Sequence, residues 1–109
     1  MTVPSHSAKR LFILRPTMGT GGADRVTMTL LERLDRTRFE PTLVLLRREG
    51  RLLDEVPDNV RIVDLAAANL FSGAAPLRRS MAKQRPDVLF STSSGTNLTA
   101  ALALGRRGR

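Results

Sequence analysis

At 109 residues the chain has room for one domain and not for two. It contains no cysteine and a single histidine, His6, which excludes disulfide frameworks, thiolate or histidine zinc sites, cysteine nucleophiles and a histidine-based triad. The formal charge of +8, from 18 basic and 10 acidic residues, suits contact with nucleic acid, phosphorylated ligands or an anionic membrane face.

Strand-like and helix-like segments alternate along the chain. Leu11-Phe12-Ile13-Leu14 is a short apolar run that reads as a buried strand, ended by Pro16. Gly19, Gly21 and Gly22 follow in a loop. The spacing of Val26, Leu30, Leu31 and Leu34 then predicts an amphipathic helix over 23–36, with Arg25, Glu32, Arg33, Asp35 and Arg36 on its outer side. Thr42 to Leu46 reads as a second buried strand, closed by Arg47-Arg48-Glu49-Gly50. Leu52 to Val56 forms about one helical turn before Pro57. Val60 to Leu65 is a third strand, less uniformly apolar and therefore nearer an edge. Residues 75–84 make a short helix with Leu77 and Met81 inward and Arg78, Arg79 and Lys83 outward, stopped by Pro86. Asp87 to Ser91 is the fourth strand, and Asn97 to Leu104 the last helix, preceded by the cap-forming Ser94 and Thr96.

This order predicts an α/β fold: a Rossmann-like parallel sheet of about four strands with flanking helices. Right-handed crossovers put the first strand centrally, the second and third on one side and the fourth on the other. The expected organisation is a flexible N-terminus over 1–9, a domain over 10–105 and a basic tail over 106–109. Ala100 to Leu104 is apolar nearly all round and the fourth strand has no onward neighbour, so the domain is expected to be incomplete.

In an open parallel sheet ligands bind beyond the carboxyl ends of the strands, where the strand order reverses. Two loops meet there. Pro16 to Gly22 leads straight into a helix, and its glycines permit close backbone approach and positive φ next to a helix N-terminus that attracts anions. The same loop also serves as a plain strand-to-helix turn. It is not the dinucleotide fingerprint, because counting from Gly19 the third glycine position falls on Asp24; nor is it a P-loop, since no Gly-Lys-Ser or Gly-Lys-Thr follows. Asp24 is placed to complement the helix dipole. The second loop, Ser91 to Asn97, is dense in hydroxyls that could bond a polyol or simply cap the next helix. No base stands near its serines, so nucleophilic catalysis is not expected, and no catalytic residue is assigned. The candidate substrate-binding residues are Gly19, Thr20, Gly21, Gly22, Ser93, Ser94 and Asn97, with no metal and no cofactor.

The strand Leu11 to Leu14, the loop to Gly22 and Ala23-Asp24-Arg25-Val26 resemble the "strand, Gly-Gly-Ala-Glu-Arg-Val" opening of family 4 glycosyltransferases. Leu34 to Leu46, with Arg38-Phe39-Glu40 before the second strand, resembles the family's second unit. Gly50 to Leu53, Val60 to Leu65, Arg85 to Leu89 and Asn97 continue in matching order, so the similarity spans about residues 10–105. The resemblance implies a two-domain GT-B enzyme that moves a sugar from a nucleotide-sugar to an acceptor, with retention at the anomeric carbon and without metal. It also implies that this chain covers the first part of the N-terminal, acceptor-side domain. The C-terminal domain, with the nucleotide-sugar site and a paired-glutamate motif, lies beyond residue 109, so the chain alone is expected to be inactive. By the same resemblance Gly21 and Gly22 face the interdomain cleft and Asn97 opens the helix after the fourth strand. This chain departs from many relatives in having Ser93, Ser94, Gly95 and Thr96 where they carry a histidine, and in having Asp24 for glutamate.

Partners implied are a nucleotide-sugar donor, a sugar or lipid-linked acceptor and the second GT-B domain. No apolar run reaches the roughly 20 residues of a membrane span and no secretory signal opens the chain, so the expected location is cytoplasmic, with peripheral contact to the inner membrane face. The scattered bases and the absence of Tyr and Trp argue against nucleic acid. Two other readings stand beside the enzyme: a small NADP- or nucleotide-binding module using Arg47 and Arg48 at the end of the second strand, and a basic interaction protein whose binding falls with salt.

Overall fold

The computed structural model describes residues 8–91 and 93–104. Its strands are β1 (Lys9–Arg15), β2 (Phe39–Leu45), β3 (Arg61–Asp64) and β4 (Val88–Ser91), all parallel, in the order β3-β2-β1-β4. Helices α1 (Gly22–Arg33) and α2 (Ala74–Gln84) lie between strands, α3 (Ser94–Leu104) follows β4, and a 3-10 helix stands at Arg51–Glu55. The expected α/β sheet and its central first strand are thus both present. The N-terminal segment over 1–7, Thr92 and the basic tail lie outside the described residues.

The two central strands are buried on both faces from Leu11 and from Pro41 onward, as near-continuous apolar runs in parallel sheets require. Alternation along them divides the core in two. Leu11, Ile13, Leu43 and Leu45 face Met28 and Leu31 of α1 together with Met18, Leu52, Val56 and Val60. Phe12, Leu14 and Val44 face the other way, toward Leu77 of α2 and Ala100 and Ala103 of α3. The third strand is an edge, as its mixed composition predicts, with Arg61 and Asp64 exposed.

Three expectations need correction. Helix α1 ends at Arg33, because Leu34 turns extended and the following residues form a turn around Asp35, whose carboxylate accepts from Thr37 N (3.0 Å) and Thr37 Oγ1 (2.6 Å). Its inward face is also rotated. Asp24, Thr27, Met28 and Leu31 are buried, Leu30 and Leu34 are only partly so, and Val26 is 69% exposed. The positions 24, 27, 28 and 31 share one helical face. Its two polar members are satisfied there, Thr27 by donating to Ala23 O at 2.9 Å and Asp24 by an ion pair described below. Helix α3 likewise begins three residues before the expected Asn97, because Ser93 caps it: Thr96 N donates to Ser93 Oγ at 3.1 Å and Asn97 N to Ser93 O at 2.8 Å.

Candidate functional site

The loop from Pro16 to Gly21 leaves the carboxyl end of β1 beside β4, where the strand order reverses. Met18 is its anchor: the side chain is fully buried among the α1-side core residues. The Met18 amide donates to Glu49 O at 2.8 Å, and its carbonyl accepts from Leu52 N at 3.0 Å. Gly50 makes that approach possible. Its φ is +122°, and a Cβ there would lie 1.9 Å from Met18 O. Arg47 N to Pro16 O (3.1 Å) and Leu46 N to Arg15 O (3.1 Å) complete the contact with the loop after β2.

From the opposite side the loop is held by an ion pair. Asp24 Oδ1 accepts from Arg15 Nη2 at 2.8 Å and from Arg15 Nε at 3.2 Å, while Asp24 Oδ2 accepts from Gly19 N at 3.0 Å. Both side chains are about nine-tenths buried. Arg25 Nε reaches back to Thr20 O at 3.2 Å. Thr20, Gly21 and Gly22 are left exposed at the start of α1, and no side chain caps that helix at Gly21. The uncapped amides and the positive end of the helix dipole therefore face solvent at the sheet's carboxyl end, an arrangement that suits phosphate or hydroxyl oxygens. Gly19, Gly21 and Gly22 have no positive φ, so that part of the expectation does not hold. A Cβ on Gly22 would meet nothing within 4 Å, which leaves room for a ligand rather than for a neighbouring chain segment.

The second loop is self-bonded. Thr96 Oγ1, fully buried, lies 2.7 Å from Ser91 Oγ and 2.8 Å from Ser93 Oγ. With its nitrogen turned toward the strand end, the Asn97 amide donates to Ser91 Oγ (2.7 Å), Ser91 O (3.0 Å) and Ser93 O (3.2 Å). These hydroxyls chiefly close the junction between β4 and α3. Asn97 itself is exposed, and its carbonyl oxygen remains able to accept from a ligand. Ser94 is the first residue of α3. Arg47 and Arg48 are exposed, and Arg47 Nε sits 3.7 Å from Glu49 Oε2 with both side chains more than half exposed, as a solvated pair would be.

Asp24 and Arg15 are what sequence reasoning missed. Asp24 sits in the first turn, where it suits the dipole, but its burial and its two partners give it a second role, and Arg15 was not singled out. The available signal was an arginine at the last position of an otherwise apolar buried strand, nine residues before an acid in the first helical turn. A cleft of about 550 Å³ lined by Arg10, Glu40, Asp58, Arg61 and Lys83 lies at the amino ends of the strands, away from both loops, and its charges are mixed. Among the described residues no group of three or more His, Cys, Asp or Glu could hold a metal ion, and no helix is long and apolar enough to cross a membrane.

The profile of Glycosyltransferase Family 4 matches residues 20–109. The chain belongs to glycosyltransferase family 4. Comparison with curated protein sequences gives no match. For a family 4 glycosyltransferase the observed sheet is an α/β, Rossmann-like arrangement, and glycosyl transfer is the activity its family carries. The matched stretch begins inside the glycine loop and takes in α1 and the Ser91–Asn97 segment, so both candidate loops fall within or against it.

Proposed function

We propose that this chain forms the acceptor-side wall of a two-domain GT-B enzyme that transfers a sugar from a nucleotide-sugar to a sugar or lipid-linked acceptor, with retention and without a metal. The observation that carries the reading is the braced loop ending in the exposed, uncapped start of α1, at the switch point of a family 4 glycosyltransferase. Thr20 to Gly22 would approach the substrate with backbone amides, with Gly19 lining the loop while its own amide is held by Asp24. Asn97 would accept from a hydroxyl, while Ser93 and Ser94 would shape the opposing loop. Donor and acceptor would be set against each other across a cleft whose other wall is the second domain, and most of the rate would come from that positioning. One wall alone does not transfer sugar. The enzyme would work in the cytoplasm, its arginine-rich surface meeting the inner membrane face where the acceptor is lipid-linked.

Titration of the chain with glucose 1-phosphate and inorganic phosphate, followed through the glycine amide resonances, tests the reading, with UDP-glucose and GDP-mannose, whose site the reading gives to the second domain, as controls. Shifts should centre on Gly19 to Gly22. The substitution Gly22→Ala separates function from stability. It should leave the fold unchanged or stabilise it by about 0.5 kcal/mol, since the new methyl meets no neighbour and lowers unfolded-state entropy. It should nevertheless weaken ligand binding by crowding the amides. Sugar transfer by the purified 109-residue chain, or shifts confined to the cleft at the amino ends of the strands, would overturn the assignment.

A further inference from the structure

We infer that the buried Arg15–Asp24 pair is a positioning device: it holds the glycine loop in its ligand-receiving shape through the Gly19 amide, and so sets affinity without touching the ligand. The inference rests on the functional reading above and assigns it two residues outside the exposed loop.

A buried ion pair is a poor way to stabilise a core, because well-packed apolar residues of similar volume do as well or better. β1 is apolar from Leu11 to Leu14, and an aliphatic residue at position 15 would continue the run. What an apolar pair cannot do is reach the loop. Asp24 divides its carboxylate, one oxygen to the guanidinium at 2.8 Å and 3.2 Å and the other to Gly19 N at 3.0 Å. Arg15 thereby fixes the plane of the carboxylate that grips the loop. Position 19 fits this grip, since a Cβ there would lie 3.3 Å from Asp24 Oδ2 and push the oxygen back. Helix α1 carries Asp24 on its buried face with Thr27, Met28 and Leu31, in reach of both partners. The residues that follow Gly19, from Thr20 to Gly22, are exposed and gain no anchorage from burial.

Two double variants separate positioning from plain stability. Arg15→Met with Asp24→Leu removes the ion pair and the acceptor for Gly19 N. Arg15→Met with Asp24→Asn removes the charges but keeps an acceptor oxygen. Amide exchange of the full chain and titration with glucose 1-phosphate and inorganic phosphate are read on both and on the wild type. In the first variant Gly19 exchange should rise, and both dissociation constants should rise, by about tenfold or more, the worth of a hydrogen bond to a charged acceptor. Protection of Ile13, Leu31 and Leu43 should be unchanged. The second variant should recover much of both losses. Equal binding by the wild type and the first variant overturns the proposal and leaves the functional reading intact. Loss of core protection in both variants makes the pair a determinant of the whole fold and overturns it too. A wild type that binds neither probe, with Gly19 exchange still split between the variants, supports the brace and counts against the functional reading alone.

Discussion

Single residues decide whether the candidate loop keeps its shape. Gly50 combines a φ of +122° with a backbone oxygen at 1.9 Å from where a side chain would begin, and neither obstacle is the flexible end of a side chain. Gly50→Ala should therefore cost about 3 kcal/mol, at the upper end for a point substitution, read as a lowered denaturant midpoint with an unchanged slope. Asp35 governs the turn after α1. Its carboxyl is held below the ordinary carboxylate range, first by the hydrogen bond from the Thr37 hydroxyl, then by the Thr37 amide and by the nearby Arg38. A group whose folded pKa is depressed contributes above its unfolded value and loses that contribution as pH falls through the folded value. Acidification below the usual Asp range should thus loosen the turn between α1 and β2. Asp35→Asn should remove this part of the acid sensitivity, as followed by exchange at Thr37, Arg38 and Phe39.

At the scale of elements, helix ends carry the information. α3 has no basic residue in its own last turn, and α2 supplies one: Arg78 Nε donates to Ala103 O at 2.8 Å and Nη2 to Leu102 O at 3.1 Å. A guanidinium on the last carbonyls satisfies orphan acceptors and complements the dipole, so Arg78→Met should lower stability by about 1 kcal/mol and speed exchange in the last turn of α3. The strands, their order and the two loops at the switch point were legible in the sequence, because apolar runs such as Leu11 to Leu14 and Thr42 to Leu46 leave a parallel sheet little choice. The orientation of α1 was not. Apolar spacing nominates Val26, whereas the true inward face holds a carboxylate whose partner, Arg15, lies on another element. Periodicity sees only one helix at a time. The start of α3 escaped for a related reason: the sequence nominates Ser94 and Thr96 as caps, whereas both lie within the helix and the Thr96 amide bonds Ser93 Oγ.

Across the whole molecule, the two sheet edges differ in kind. β3 exposes Arg61 and Asp64, charges that discourage another strand from pairing there. β4 runs Val-Leu-Phe-Ser and leaves Val88 and Phe90 more than two-fifths exposed on the α1 face, while α3, on the other face, exposes Leu98, Leu102 and Leu104. Among the described residues nothing pairs with its outer edge. The chain by itself should therefore associate as concentration rises, and Phe90→Lys should shift sedimentation velocity profiles back toward monomer without lowering the melting temperature. The interlock of Met18 with Gly50 has a different reach. Because Met18 bonds to Glu49 and Leu52 and fits only against a residue without a side chain, residues 16–22 and 46–52 form a single mechanical part made of two separated stretches. Anyone transplanting the glycine loop into a related scaffold must carry both stretches together, and a chimera whose crossover falls between them would inherit a key without its lock.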